Sequence, residues 1–108
     1  MEHFKKAVLL DNDSLILQAW ALAAKRAGVT LITFQTTEEF FKKISDLDRE
    51  FTIFIDSKLA NGERGEGVAE RVYGLGFRRI FLATGMPAKS FPVLPWINAI
   101  VGKDPPWK

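Results

Sequence analysis

The sequence contains no cysteine, which excludes disulfides, thiolate metal sites and cysteine nucleophiles together. That absence is compatible with the cytoplasm, the expected location. No apolar run approaches the roughly 20 residues a membrane helix needs, so no membrane contact is expected of this chain. No basic start followed by an apolar stretch and a small-residue cleavage site opens it. An excess of one charge sign is missing too: fifteen basic residues oppose thirteen acidic ones, for a net charge of +2. Lys25-Arg26, Lys42-Lys43 and Arg78-Arg79 are isolated pairs beside helix or strand ends. Without a basic stripe interleaved with aromatics, they read as solvated faces and not as a nucleic-acid surface. The single histidine, His3, is read as bland and not catalytic. Internal repeats and low-complexity segments are also absent.

What is present is an ordinary globular composition, 47% hydrophobic and 26% charged over 108 residues. This length suits one compact domain, 1–108, with an ordered core over about 6–106. Strand-like and helix-like segments alternate throughout. Ala7 to Leu10 is a short continuous apolar run that stops at Asp11, as a strand buried on both faces would. Asp13 or Ser14 can cap a helix beginning at Leu15, with Ile16, Ala19, Trp20, Ala23 and Ala24 at helical spacing. Lys25 and Arg26 suit its C-terminal dipole and Gly28 its left-handed stop.

Val29 to Phe34 is a second strand, rich in β-branched residues. Thr36 and Glu39 form a capping box for a helix from Glu38 to about Asp46, with Phe40, Phe41 and Ile44 inward. Phe51 to Ile55 is a third strand, stopped by Asp56. Ser57 to Glu66 reads as a polar loop and about Gly67 to Leu75 as a third helix. Arg79 to Ala83 is a fourth strand ending at Thr84-Gly85. Pro87, Pro92 and Pro95 allow at most a turn or two of helix before a fifth strand, Ile97 to Val101. Parallel βαβ units follow, and with them a flavodoxin-like, doubly wound α/β sheet of five strands in the order 2-1-3-4-5. Its fourth helix is degenerate and its fifth is missing.

In such a sheet, functional groups collect beyond the carboxyl ends of the strands. Those ends carry Asp11, Asn12 and Asp13, then Asp56, Thr84 and Lys103. Each alone has a bland reading: Asp13 as a helix cap, Thr84 as a turn residue, Lys103 as part of a solvated tail. Together, at the ends of four strands of one sheet, they predict a convergent site. Its chemistry suits phosphoryl transfer to a carboxylate, which needs an exposed nucleophile and a hard divalent cation. Magnesium takes oxygen ligands and often only one or two carboxylates, which Asp11, Asp13 and Asp56 can supply. Lys103 would counter charge on the acyl phosphate, and Thr84 could donate a hydrogen bond to it.

These motifs (Leu10-Asp11-Asn12-Asp13, Ile55-Asp56, Ala83-Thr84-Gly85 and Gly102-Lys103, in that order) resemble those of response-regulator receiver domains, over about Lys6 to Pro106. The resemblance implies that Asp56 takes a phosphoryl group from a histidine kinase or a phosphotransfer domain. It also implies Mg2+ held by Asp11, Asn12, Asp13, Asp56 and the backbone carbonyl of Lys58, with Thr84 and Lys103 turning toward the aspartyl phosphate. A receiver segment of a hybrid sensor kinase or a phosphate sink fits a chain without the usual output helix. Edge strands two and five each offer a route to a homodimer.

The sequence departs from the family in four places. Asn12 stands where the second acid usually lies, so weaker magnesium binding is expected. Ile100 replaces the aromatic switch residue. Lys103 is followed by Asp104-Pro105, and the prolines interrupt the fourth helix. Trp96 or Trp107 is expected to cover the edge left bare, in preference to marking a partner surface. Two rival readings stand beside the receiver. One is a pseudo-receiver acting by protein contact alone. The other is a haloacid-dehalogenase-like phosphatase with Asp11 as nucleophile, which gives Asp56 no role and lacks a further acidic motif after Lys103. Gly62 to Gly67 resembles a phosphate-cradling loop only superficially, since it lacks the lysine and Ser/Thr of a P-loop.

Overall fold

In the computed structural model, which describes residues 5–107, every strand boundary follows an apolar run. The strands are β1 (Lys6–Leu10), β2 (Thr30–Phe34), β3 (Thr52–Ile55), β4 (Ile80–Ala83) and β5 (Ala99–Val101). Between them lie three α-helices, α1 (Ser14–Ala27), α2 (Thr37–Lys43) and α3 (Gly65–Gly74). All pairings are parallel, in the order β2-β1-β3-β4-β5. This is the doubly wound α/β sheet expected from the alternation of elements.

Strand residues alternate between two apolar layers because successive side chains point to opposite faces. Ala7, Leu9 and Phe54 pack with Trp20 and Ala24 of α1 on one face. On the other, Val8, Leu10, Ile53 and Ile55 meet Phe40 of α2 and Val68 and Val72 of α3. Ala19, expected on the inner stripe of α1, is exposed. The caps are local and legible. Asp13 Oδ1 accepts from the Leu15 amide, Thr36 Oγ1 accepts from the Glu39 amide, and Gly28 stops α1 at φ 71°.

Three details differ from expectation. The helix after β3 starts two residues early, at Gly65, and the segment before it is not a plain loop. It contains an antiparallel bridge, Lys58 to Arg64, and a 3-10 turn, Ala60–Gly62, with Asn61 in the left-handed region at φ 62°. The early start depends on Gly65 lacking a side chain: a Cβ there would sit 2.1 Å from the Asp56 carbonyl oxygen. Second, α2 ends at Lys43 and its last turn tightens into a 3-10 turn, Ile44–Asp46. Third, β5 is only three residues long. Asn98 extends it by side-chain chemistry, its Oδ1 accepting from the Ile80 amide while its own amide donates to the Ile80 carbonyl.

Between β4 and β5 the prolines leave a single 3-10 turn, Ala88–Ser90. No helix follows β5 among the described residues. Trp107 instead folds back over the α1 face, edge-on to Trp20 at 5.5 Å and to Phe54 at 6.5 Å between ring centroids. Trp96 is half-buried and donates from Nε1 to the Glu66 carbonyl at 3.0 Å. Both tryptophans pack into the fold. The described peptide bonds are all trans, that before Pro105 included.

Candidate functional site

The carboxyl ends of the strands converge because the hydrogen-bond ladder runs one residue past each of them. The Asp11 amide donates to the Phe34 carbonyl at 3.1 Å, that of Asp56 to Leu10 at 2.9 Å, and that of Thr84 to Val101 at 2.9 Å. Three side chains on three strands are thereby fixed by main-chain geometry. Lys103, two residues beyond β5, is held differently: Trp20 Nε1 donates to its carbonyl oxygen at 2.7 Å.

These residues line one cleft of about 450 Å³, together with Asn12, Asp13, Ser57, Lys58 and Met86. At its floor, Lys103 Nζ lies 2.5 Å from Asp11 Oδ2 and 2.9 Å from Asp56 Oδ1. Asp11 is fully buried, and its other oxygen accepts from the Asp13 amide at 2.9 Å. Burial pushes the Asp11 carboxyl above the ordinary carboxylate value, with the Lys103 hydrogen bond pulling the other way. Burial would lower Lys103, but its hydrogen bonds to Asp11 and Asp56 outweigh this and hold it above its ordinary value. Lys103 is therefore an ammonium at neutral pH. Two acids thus share one ammonium at the floor of the cleft.

Asp56 is nearly buried, and its Oδ1 receives a long contact of 3.4 Å from the Lys58 amide. Asn12 is exposed, with its carbonyl accepting from Gln35 Nε2 at 3.1 Å. Thr84 is buried. Its Oγ1 accepts from the Met86 amide at 3.1 Å and shares a 2.9 Å hydrogen bond with Ser57 Oγ. Lys58 is exposed at the rim. His3 lies outside the described residues.

The three acids expected as metal ligands all line the cleft but are not equally engaged. Asp13 lines the cleft, but one of its oxygens is committed to the first turn of α1. No group of three His, Cys, Asp or Glu residues is placed to hold a metal ion among the described residues. The cleft lining offers hard oxygen donors, the carboxylates of Asp11, Asp13 and Asp56 and the side-chain amide of Asn12. Magnesium needs only one or two carboxylates, with waters completing its shell, so the set fits that ion with few acidic ligands.

Two residues of the site had no assigned role in the sequence. Ser57 follows Asp56 directly, yet no local pattern ties its hydroxyl to Thr84. Trp20 reads as an ordinary core residue of an amphipathic helix; only the fold shows its N–H reaching the lysine segment.

No protein-family model and no curated protein matches the chain. Solved structures do. A CheY-like response regulator receiver domain protein from Methanospirillum hungatei JF-1 superposes with a TM-score of 0.77 at 22% identity, covering 93% of this chain and 82% of that one. The N-terminal domain of a response regulator/sensory box/GGDEF three-domain protein from Carboxydothermus hydrogenoformans gives a TM-score of 0.71 at 20% identity, covering 92% and 82%. The response regulator StyR gives 0.69 at 17% identity over 96% of this chain and 53% of its own length. The chain thus has the fold of a CheY-like response-regulator receiver domain.

Proposed function

We propose that the chain is a phosphoacceptor in two-component signalling, with Asp56 as the acceptor. The observation that carries this reading is the placement of one ammonium, Lys103, within hydrogen-bond distance of two carboxylates on neighbouring strands. A structural role for Lys103 would be served by a single acid. Asp56 sits beside the open cleft, whereas Asp11 is fully buried with both oxygens engaged, which disfavours Asp11 as a nucleophile and with it the phosphatase alternative.

The donor is a phosphohistidine on a histidine kinase or a phosphotransfer domain. An Asp56 carboxylate oxygen attacks its phosphorus; the new P–O bond forms as the P–N bond breaks, and the electron pair stays with the imidazole. Lys103 releases one carboxylate contact and pairs with a phosphoryl oxygen, as a charge-assisted bond favours. Thr84 donates its hydroxyl to another. Asp11, Asp13, Asp56, the Asn12 side-chain oxygen and the Lys58 carbonyl would hold magnesium, which when bound neutralises phosphoryl charge. Asp13 also caps α1 through its Oδ1. A cytoplasmic location and a place within a hybrid kinase belong to the same proposal.

The test is phosphoryl uptake from acetyl phosphate with magnesium, read by intact mass. A gain of one phosphoryl group, lost in Asp56→Asn and on chelation, is expected. Asn12 and the lack, among the described residues, of a three-acid cluster favour a second reading, a pseudo-receiver working by protein contact. No mass gain together with no beryllofluoride binding would select it.

A further inference from the structure

Ser57 carries a buried hydroxyl that the chemistry above does not use. It is 1% exposed, and its Oγ lies 2.9 Å from the hydroxyl of Thr84, itself 4% exposed. Both line the cleft with Asp56 and Lys103. A threonine hydroxyl has one proton and two lone pairs. Here the Met86 amide occupies one lone pair, and Ser57 takes another of those positions. The Thr84 hydroxyl is therefore committed on two sides in the resting site.

We infer that Ser57 is a positioning residue that latches the Thr84 hydroxyl in its resting place and so opposes its turn toward a phosphoryl group on Asp56. The inference rests on the reading of Asp56 as the acceptor. Either donor direction leads to the same conclusion, because moving Thr84 Oγ1 toward Asp56 lengthens its contact with Ser57. The Ser57 hydroxyl, shut off from solvent, then loses its partner, and a buried unpaired hydroxyl is costly. The latch therefore stabilises the unphosphorylated arrangement. The same bond links the site to the loop after β4, since Met86 hangs on Thr84 Oγ1.

The test titrates the full chain with beryllofluoride and magnesium, followed by tryptophan fluorescence. Ser57→Ala is expected to bind beryllofluoride about 2- to 10-fold more tightly than wild type, the equivalent of one net hydrogen bond. Ser57→Cys, close in size but a poor hydrogen bonder, is expected to tighten binding as well. In a Thr84→Ala background, Ser57→Ala should change nothing. Unchanged or weaker binding in Ser57→Ala overturns the latch. So does Ser57→Cys behaving as wild type, which would assign the effect to packing, and so does a gain that persists without Thr84. If wild type neither binds beryllofluoride nor gains phosphoryl mass, the acceptor reading falls and the latch with it. If wild type does both and the Ser57 variants do not differ from it, only the latch falls.

Discussion

Replacing Gly65 with alanine should destabilise the protein, while the same change at Gly67, in the same helical turn, should stabilise it. A Cβ at position 65 would fall 2.1 Å from the Asp56 carbonyl oxygen, 2.9 Å from its carbon and 3.0 Å from Ser57 Cα. All three are main-chain atoms, so relief requires moving either α3 or the end of β3. Such overpacking costs about 1–3 kcal/mol. Separating the two segments also weakens the 3.0 Å hydrogen bond from the Gly65 amide to the Ser57 carbonyl, a further loss of about 0.5–1.5 kcal/mol. Alanine's helical preference over glycine returns at most about 1 kcal/mol, leaving a net loss of about 1–3 kcal/mol. At Gly67 a Cβ meets nothing within 4 Å, and reduced freedom of the unfolded chain gives a gain of about 0.4–1 kcal/mol. Urea unfolding of the two variants, compared at a common m-value, should thus separate them by about 1.5–4 kcal/mol. Phosphoryl uptake should slow in Gly65→Ala, whose strain falls on Asp56, and stay at the wild-type rate in Gly67→Ala. A Gly65→Ala variant as stable as Gly67→Ala would show that α3 backs away from Asp56 freely, and would refute the claim that this glycine sets the approach.

Trp20→Phe should keep most ring packing but leave the Lys103 carbonyl without its N–H donor, costing about 1–3 kcal/mol in urea unfolding; it should also slow acetyl phosphate labelling of Asp56 through a loosened Lys103. Trp107→Ala removes a ring packed on Trp20 and Phe54 and should cost about 3 kcal/mol, with a loss under about 0.5 kcal/mol showing that the tail does not cover that face. The exposed Asp48 carboxyl is held below its ordinary 3.8 by the hydrogen bond from Lys6, then by the Glu50 amide. A depressed acid contributes stability that is present above 3.8 and is lost as pH falls through the folded value; NMR titration should therefore show the Asp48 midpoint rise in Lys6→Met.

Much of the fold was legible because its signals are short-range. An apolar run stopped by an acid marks β1 and β3; a threonine three residues before a glutamate marks the start of α2; a glycine at positive φ marks the end of α1. The strand order follows from right-handed crossovers between parallel strands, so Asp11, Asp56, Thr84 and Lys103 could be assigned to one edge before any contact was known. The sequence by itself therefore determined the elements, their order, and the set of polar residues beyond the strand ends. The tertiary structure alone decided how those residues pair. Ser57 found Thr84, and Trp20 found the Lys103 carbonyl. Gly65 looked like loop, although it is the point where α3 touches the backbone of β3. Each of these depends on distances between segments far apart in the chain. Local periodicity and capping chemistry carry no information about such distances, which are set by how the two apolar layers pack against the sheet.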